Sequence, residues 1–132
     1  MKKVIVFGTF DIIHPGHEHM LKEAKEYGNY LVAIIARDEV SKEVKGRQPK
    51  YNEQTRLNNI RKLGIADNVR LGYIDDKYQV IQEEKPDIVA LGYDQIAFVD
   101  KLEEVIDDNC QIVRLVPYKP EIFKSSKLLQ QL

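Results

Sequence analysis

Five short apolar runs constrain what this chain can become. They are Lys3 to Phe7, Tyr30 to Ala36, Asn68 to Leu71, Asp87 to Leu91 and Gln111 to Val116. Most are rich in β-branched residues, and their apolar character is continuous rather than alternating. That pattern predicts strands buried on both faces, as in a parallel sheet. Helix-like stretches lie between them, at Gly16 to Tyr27, Asn52 to Leu63, Tyr78 to Glu84 and Val99 to Asp107. In the first, Met20, Leu21 and Ala24 share a face away from Lys22, Glu23, Lys25 and Glu26. Gly28 reads as its C-cap and Asn52 as the N-cap of the second. A last short helix is expected from Ser125. Alternating βα units imply a three-layer α/β fold with a five-stranded parallel sheet and right-handed crossovers. A chain of 132 residues without a linker or repeat suits one domain, 1–132.

Composition excludes several functions. The net charge of −1 gives no bulk attraction to nucleic acid or to an anionic membrane, so a phosphate site must be built locally. No apolar run can span a bilayer. Gly8-Thr9-Phe10-Asp11 cuts short what would otherwise pass for a signal peptide. The single cysteine, Cys110, excludes an internal disulfide and a cysteine metal cage, and reads as a packing residue. A cytoplasmic enzyme or binding module is the expectation.

Ligands of such sheets sit beyond the carboxyl ends of the strands. After the first strand comes Gly8-Thr9-Phe10-Asp11, and then His14-Pro15-Gly16-His17 opens a helix. Gly8 allows close backbone approach. Amides at a helix start favour anions, and Pro15 costs little there. His14 and His17, three residues apart, turn the same way on a first helical turn. Two imidazole donors beside amides suit an α-phosphate and the charge that develops during its transfer. With only Asp11 and Glu18 nearby they make a poor metal cage, so no protein metal site is expected. A purely structural turn would leave two histidines at one helix start unexplained. His19 reads as a surface or packing residue.

These residues resemble the signature of the cytidylyltransferase-like nucleotidyltransferases, which have a Rossmann-like fold and a His-x-Gly-His motif. The likeness covers essentially the whole chain. Read alone, the basic segment Lys42 to Lys50 is a solvated, glycine-containing surface loop. The resemblance implies that Lys45 in it binds phosphate, and that Arg56 on the next helix contacts the acceptor phosphate. Local chemistry also allows Arg56 a salt bridge with a neighbouring carboxylate. After the fourth strand, Gly92 permits close approach. Asp94 can accept from a ribose or base, or cap the next helix in an Asx-turn. After the fifth, Tyr118 can meet a base, while Ser125 or Ser126 can cap a helix and hold the β- and γ-phosphates.

Within the family, glycerol-3-phosphate cytidylyltransferases carry an Arg-Thr-Glu-Gly-Ile-Ser-Thr-Thr segment. Here Tyr118 to Ser126 lacks that arginine and glycine. Archaeal-type FAD synthases are more similar, at Ala36-Arg37-Asp38-Glu39, Lys45-Gly46-Arg47-x-Pro49, Lys85-Pro86-Asp87-Ile88, Leu91-Gly92-x-Asp94-Gln95 and Tyr118-Lys119 followed by Ser125-Ser126-Lys127. This resemblance implies AMP transfer from ATP to FMN. Thr9, Phe10, the His14–His17 turn, Asp94 and Tyr118 would contact ATP, with Mg²⁺ riding on the nucleotide and a homodimer as the assembly. The alternatives are CTP with glycerol 3-phosphate, or a non-catalytic nucleotide-binding module.

Overall fold

A computed structural model of the chain describes residues 2–76, 78–92, 102, 106 and 109–115. All five apolar runs are strands: β1 Lys3–Gly8, β2 Tyr30–Ile35, β3 Asn68–Leu71, β4 Ile88–Leu91 and β5 Gln111–Arg114. Every pairing is parallel, in the order β3-β2-β1-β4-β5. The helices are α1 Pro15–Glu26, α2 Asp38–Lys45, α3 Glu53–Leu63 and α4 Gln79–Glu84. The architecture is the expected Rossmann-like α/β fold.

The unbroken apolar runs have a simple physical reason. Successive side chains of a strand face opposite sides. In β1, Val4 and Val6 enter a core shared with Leu21 and Ala24 of α1 and Leu57 and Ile60 of α3. Ile5 and Phe7 enter a second core with Val80 and Ile81 of α4 and with Leu102. β2 divides the same way, Leu31, Ala33 and Ile35 against Val32 and Ile34. With helices on both faces, the inner positions of the central strands, Val4–Phe7, Leu31–Ile35 and Ile88–Leu91, are all apolar. At the edge, Arg70 of β3 instead bonds Glu83 and Glu84 of α4, and Lys3 also reaches Glu84. These pairs fasten the α4 crossover.

The chain leaves β1 toward β2 on one side and reaches β4 on the other. The crevice between the ends of β1 and β4 is therefore the topological switch point, where such sheets bind ligands. The β1–β4 register pairs Val4 with Ile88 and Val6 with Ala90. Continued, it sets Gly8 opposite Gly92.

Two expectations are corrected. Lys42 to Lys45, expected as the start of a loop, instead close the helix Asp38–Lys45. Its signals were acidic residues in the first turn and Gly46 as a left-handed C-cap at φ 76°. Gly28 is not a left-handed cap. Tyr27 closes α1 in the right-handed region, and a Cβ at Gly28 would stand 2.5 Å from the Lys2 carbonyl oxygen. Glycine is needed there because the chain entering β2 runs hard against the start of β1. The expected helix at Val99 to Asp107 lies mostly outside the described residues, and the one from Ser125 lies wholly outside them.

Gly28→Ala is expected to cost about 1–3 kcal/mol through backbone overpacking. Gly64→Ala, at φ 71° with open space around it, is expected to cost only about 1 kcal/mol of strain. Urea midpoints of the two variants check the order.

Candidate active site

Gly8 ends β1, and the backbone then takes a left-handed step at Phe10, with φ 52°. This step returns the Phe10 ring to the core, where it is 4% exposed. The ring lies directly over Gly8, so that a Cβ there would stand 2.5 Å from it. The absent side chain at Gly8 thus makes room for Phe10, a more immediate demand than ligand approach. The Phe10 ring also meets His17 edge-on, with centroids 5.4 Å apart. Phe10 supports a histidine from below, and its side chain has almost no surface for a nucleotide.

His14 is the N-cap of α1, Pro15 the first helical residue and His17 the third. The His14 Nδ1 accepts from the Gly16 N–H at 3.1 Å, and the His17 Nδ1 accepts from the His14 N–H at 3.4 Å. This is a capping box in which two imidazoles take the places usually held by a hydroxyl and a carboxylate. It explains the three-residue spacing structurally, contrary to the expectation that a structural turn would not. It also changes the view of the helix start: Gly16 N–H serves His14 Nδ1, and His17 N–H serves the His14 carbonyl at 2.9 Å.

The box has a chemical consequence. A ring nitrogen that accepts an N–H carries no proton, so both neutral imidazoles hold their proton on Nε2. The rings stack with centroids 3.9 Å apart and 27° between planes. Protonating both would set two positive charges about 4 Å apart, which costs ~1 kcal/mol even in water. Burial also holds His14 below its ordinary pKa of 6.5. The pair is therefore built as two stacked neutral rings, each with an Nε2–H donor suited to a phosphate oxygen whose charge grows during transfer.

Behind the turn lies a network of which the sequence offered only one part, a salt bridge from Arg56 to a carboxylate. Asp11 is 5% exposed, and its carboxylate accepts from the Lys50 and Tyr51 N–H groups at 2.7 and 2.9 Å. Arg56 is 0% exposed. It donates to the Tyr51 carbonyl at 3.0 Å, the Thr9 carbonyl at 2.8 Å and the Asp38 carboxylate at 2.7 Å. Glu53 joins the set by accepting from Asp38 N–H and Arg37 at 2.9 Å each. Thr9 Oγ1 meets Ser41 Oγ at 3.4 Å. The motif turn, the start of α2 and the segment before α3 are thereby locked together.

Arg56 is thus corrected from an acceptor-phosphate ligand to a buried brace, because its guanidinium has no exposed surface. The sequence did hold the sign: Arg56 lies with Leu57 and Ile60 on the inward face of α3. Of the other expected residues, Pro15 is exposed and Gly92 is buried at the end of β4, its carbonyl bonded by Arg114 at 2.9 Å. Lys45 ends α2, while its side chain lies outside the described residues, as do Asp94, Tyr118, Ser125 and Ser126. Cys110 is half-buried beside the second core, as a packing residue would be. Among the described residues no group of three or more His, Cys, Asp or Glu could hold a metal, and no helix is long and apolar enough to cross a membrane.

A histidine pair at the switch point of a β3-β2-β1-β4-β5 sheet is the arrangement expected of an α/β nucleotidyltransferase. The cytidylyltransferase-like family model matches residues 5–131, and the chain belongs to that family. It is 36% identical to the FAD synthase of Picrophilus torridus, over 98% of this chain and 95% of that one. It is 38% identical to the FAD synthase of Methanolacinia petrolearia, over 96% and 86% of the two chains. A solved structure described as a lipopolysaccharide core biosynthesis protein from Thermoplasma volcanium superposes with a TM-score of 0.81 at 38% identity, covering 90% of this chain and 99% of its own.

Arg56→Met is expected to cost about 3 kcal/mol, since it strands the Asp38 carboxylate and two carbonyls. Urea unfolding at neutral pH checks the figure. A second expectation concerns pH. The native fold disfavours protonated His14, so the unfolded chain takes up that proton first as pH falls. The neutral ring's contribution is complete above pH 6.5 and is lost as pH drops below that value toward the depressed native pKa. His14→Asn keeps a capping acceptor without a titrating ring. It should flatten the fall in stability between about pH 7 and about pH 5.5, measured by thermal melts.

Proposed function

We propose that the chain transfers AMP from ATP to FMN, giving FAD and pyrophosphate. The observation that carries this reading is the neutral Nε2–H pair of His14 and His17, in a chain with full-length likeness to FAD synthases. An FMN phosphate oxygen attacks the α-phosphorus of ATP in line. The bond from that phosphorus to the oxygen bridging to the β-phosphorus breaks, and the electron pair leaves with pyrophosphate. A phosphate monoester is nucleophilic at neutral pH, so no covalent enzyme intermediate is required. Catalysis is then positioning plus stabilisation of developing charge.

In this reading His14 and His17 donate to the α-phosphate and the bridging oxygen. Gly8, Thr9, Pro15 and Gly16 shape the phosphate side of the crevice with backbone, while Gly92 borders its β4 side. Asp94 and Tyr118 serve the nucleoside, and Ser125 and Ser126 serve the leaving pyrophosphate. Lys45 serves the transferring or acceptor phosphate. Its place at the end of α2, just before the segment that Asp11 fastens to the motif, supports that role. A divalent cation enters as part of the nucleotide substrate, held by phosphate oxygens and water, and Mg²⁺ is the ion of choice. The working assembly is a homodimer and the compartment the cytoplasm.

Incubation with ATP or CTP, each with FMN or glycerol 3-phosphate, discriminates the readings by pyrophosphate release. ATP with FMN is the expected productive pair. Release only from CTP with glycerol 3-phosphate would contradict the assignment, and release from no pair would favour a binding module. His17→Ala is expected to lower turnover by at least ~100-fold with an unchanged circular dichroism spectrum, as for loss of a transition-state donor.

A further inference from the structure

Lys50 and Tyr51 combine a fixed backbone with exposed side chains. Asp11 holds both of their N–H groups, and Arg56 holds the Tyr51 carbonyl. Yet the Tyr51 side chain is 38% exposed, one of three large, mainly apolar side chains that the described residues leave in solvent. Tyr27 and Ile74 are the others, and neither bonds to the motif turn. Tyr51 does, through the carboxylate of Asp11, three residues before His14. Among the described residues its hydroxyl has no hydrogen-bond partner, and its ring interacts with Lys50, whose ammonium lies 5.8 Å from the centroid.

An exposed ring on a pinned backbone is suited to stacking, since the loop has already lost the freedom that binding would otherwise remove. Its position selects the substrate. The segment 46–52 follows the β2 side of β1, whereas Gly92 closes the β4 side. The two sides flank the histidine turn, as donor and acceptor must for in-line transfer. With the nucleotide on the β4 side, residue 51 belongs to the segment on the acceptor side of the histidine turn.

We propose that Tyr51 is a specificity-determining residue for the acceptor, stacking on the planar ring system of the flavin while Lys50 adds positive charge beside it. This rests on FMN being the acceptor. It gives a physical reason for preferring an aromatic phosphate ester to a small polyol phosphate, which offers no ring to stack.

The test is steady-state kinetics of wild type, Tyr51→Ala and Tyr51→Phe with ATP and FMN. Loss of an aromatic stacking partner generally costs roughly 5- to 150-fold in affinity. Tyr51→Ala should raise KM for FMN about tenfold and KM for ATP less than twofold, while Tyr51→Phe restores the wild-type KM for FMN. Thermal melts check that both variants are folded, as an exposed side chain allows. FAD formation by wild type with no change in KM for FMN in Tyr51→Ala would overturn the inference and leave the FMN reading intact. A rise in KM for ATP instead would place the ring against adenine and also overturn it. Absence of FAD formation by wild type would remove both.

Discussion

Arg56 carries a full charge into the protein interior, and the site is arranged around that fact. Removing a guanidinium from water costs several kcal/mol unless acceptors replace the water. The acceptors here are two main-chain carbonyls and one carboxylate, and they come from three separate parts of the chain: Thr9, Tyr51 and Asp38. The charge is satisfied only when the motif turn, the start of α2 and the segment before α3 meet. An apolar residue of similar volume would fill the same space without requiring that geometry. Asp11 repeats the logic with opposite sign, its buried carboxylate satisfied by two N–H groups of the same segment. Because the partners are spread across the chain, the turn is correctly shaped only in the folded state.

What this bracing supports is a pair of histidines whose protons are placed by the backbone. Main-chain N–H groups occupy both Nδ1 atoms, which puts the proton of each neutral ring on Nε2. Phe10 holds His17 from beneath, and Gly8 is glycine so that Phe10 can lie flat. Gly8, Phe10, His14, Gly16 and His17 are thereby each accounted for by a contact with another motif residue. In the proposed role, pre-set donors of this kind need no reorganisation as charge builds on a phosphate oxygen, and such preorganisation is usually the largest single contribution to catalysis.

Much of the fold was legible because a sheet covered on both faces imposes unbroken apolar runs on its strands. β3 has the bounds the sequence suggested, and the other strands differ by a residue or two at their ends. α2 was missed: its apolar stripe is only Val40 and Val44 among eight mostly polar residues, and the glycine that ends it reads equally well as a loop residue. The histidine motif was visible as a site, but its inner workings were not. The capping box depends on ring nitrogens meeting specific amides, and no spacing rule separates that from two donors aimed at a ligand. Arg56 was misassigned for a related reason, since a basic residue near a phosphate site looks like a phosphate ligand until its burial is known. The Asp11 contact with residues 50 and 51 spans about forty positions and left no local trace.

The central claim, that backbone amides fix both imidazoles as neutral Nε2–H donors, can be read directly from long-range ¹H–¹⁵N correlation spectra of the histidine rings near pH 7.5. The expected result is an Nε2-protonated neutral tautomer for both His14 and His17, retained when Mg²⁺ and a non-hydrolysable ATP analogue are added. Protonation on Nδ1 in either ring, or a fast mixture of the two tautomers, would contradict it.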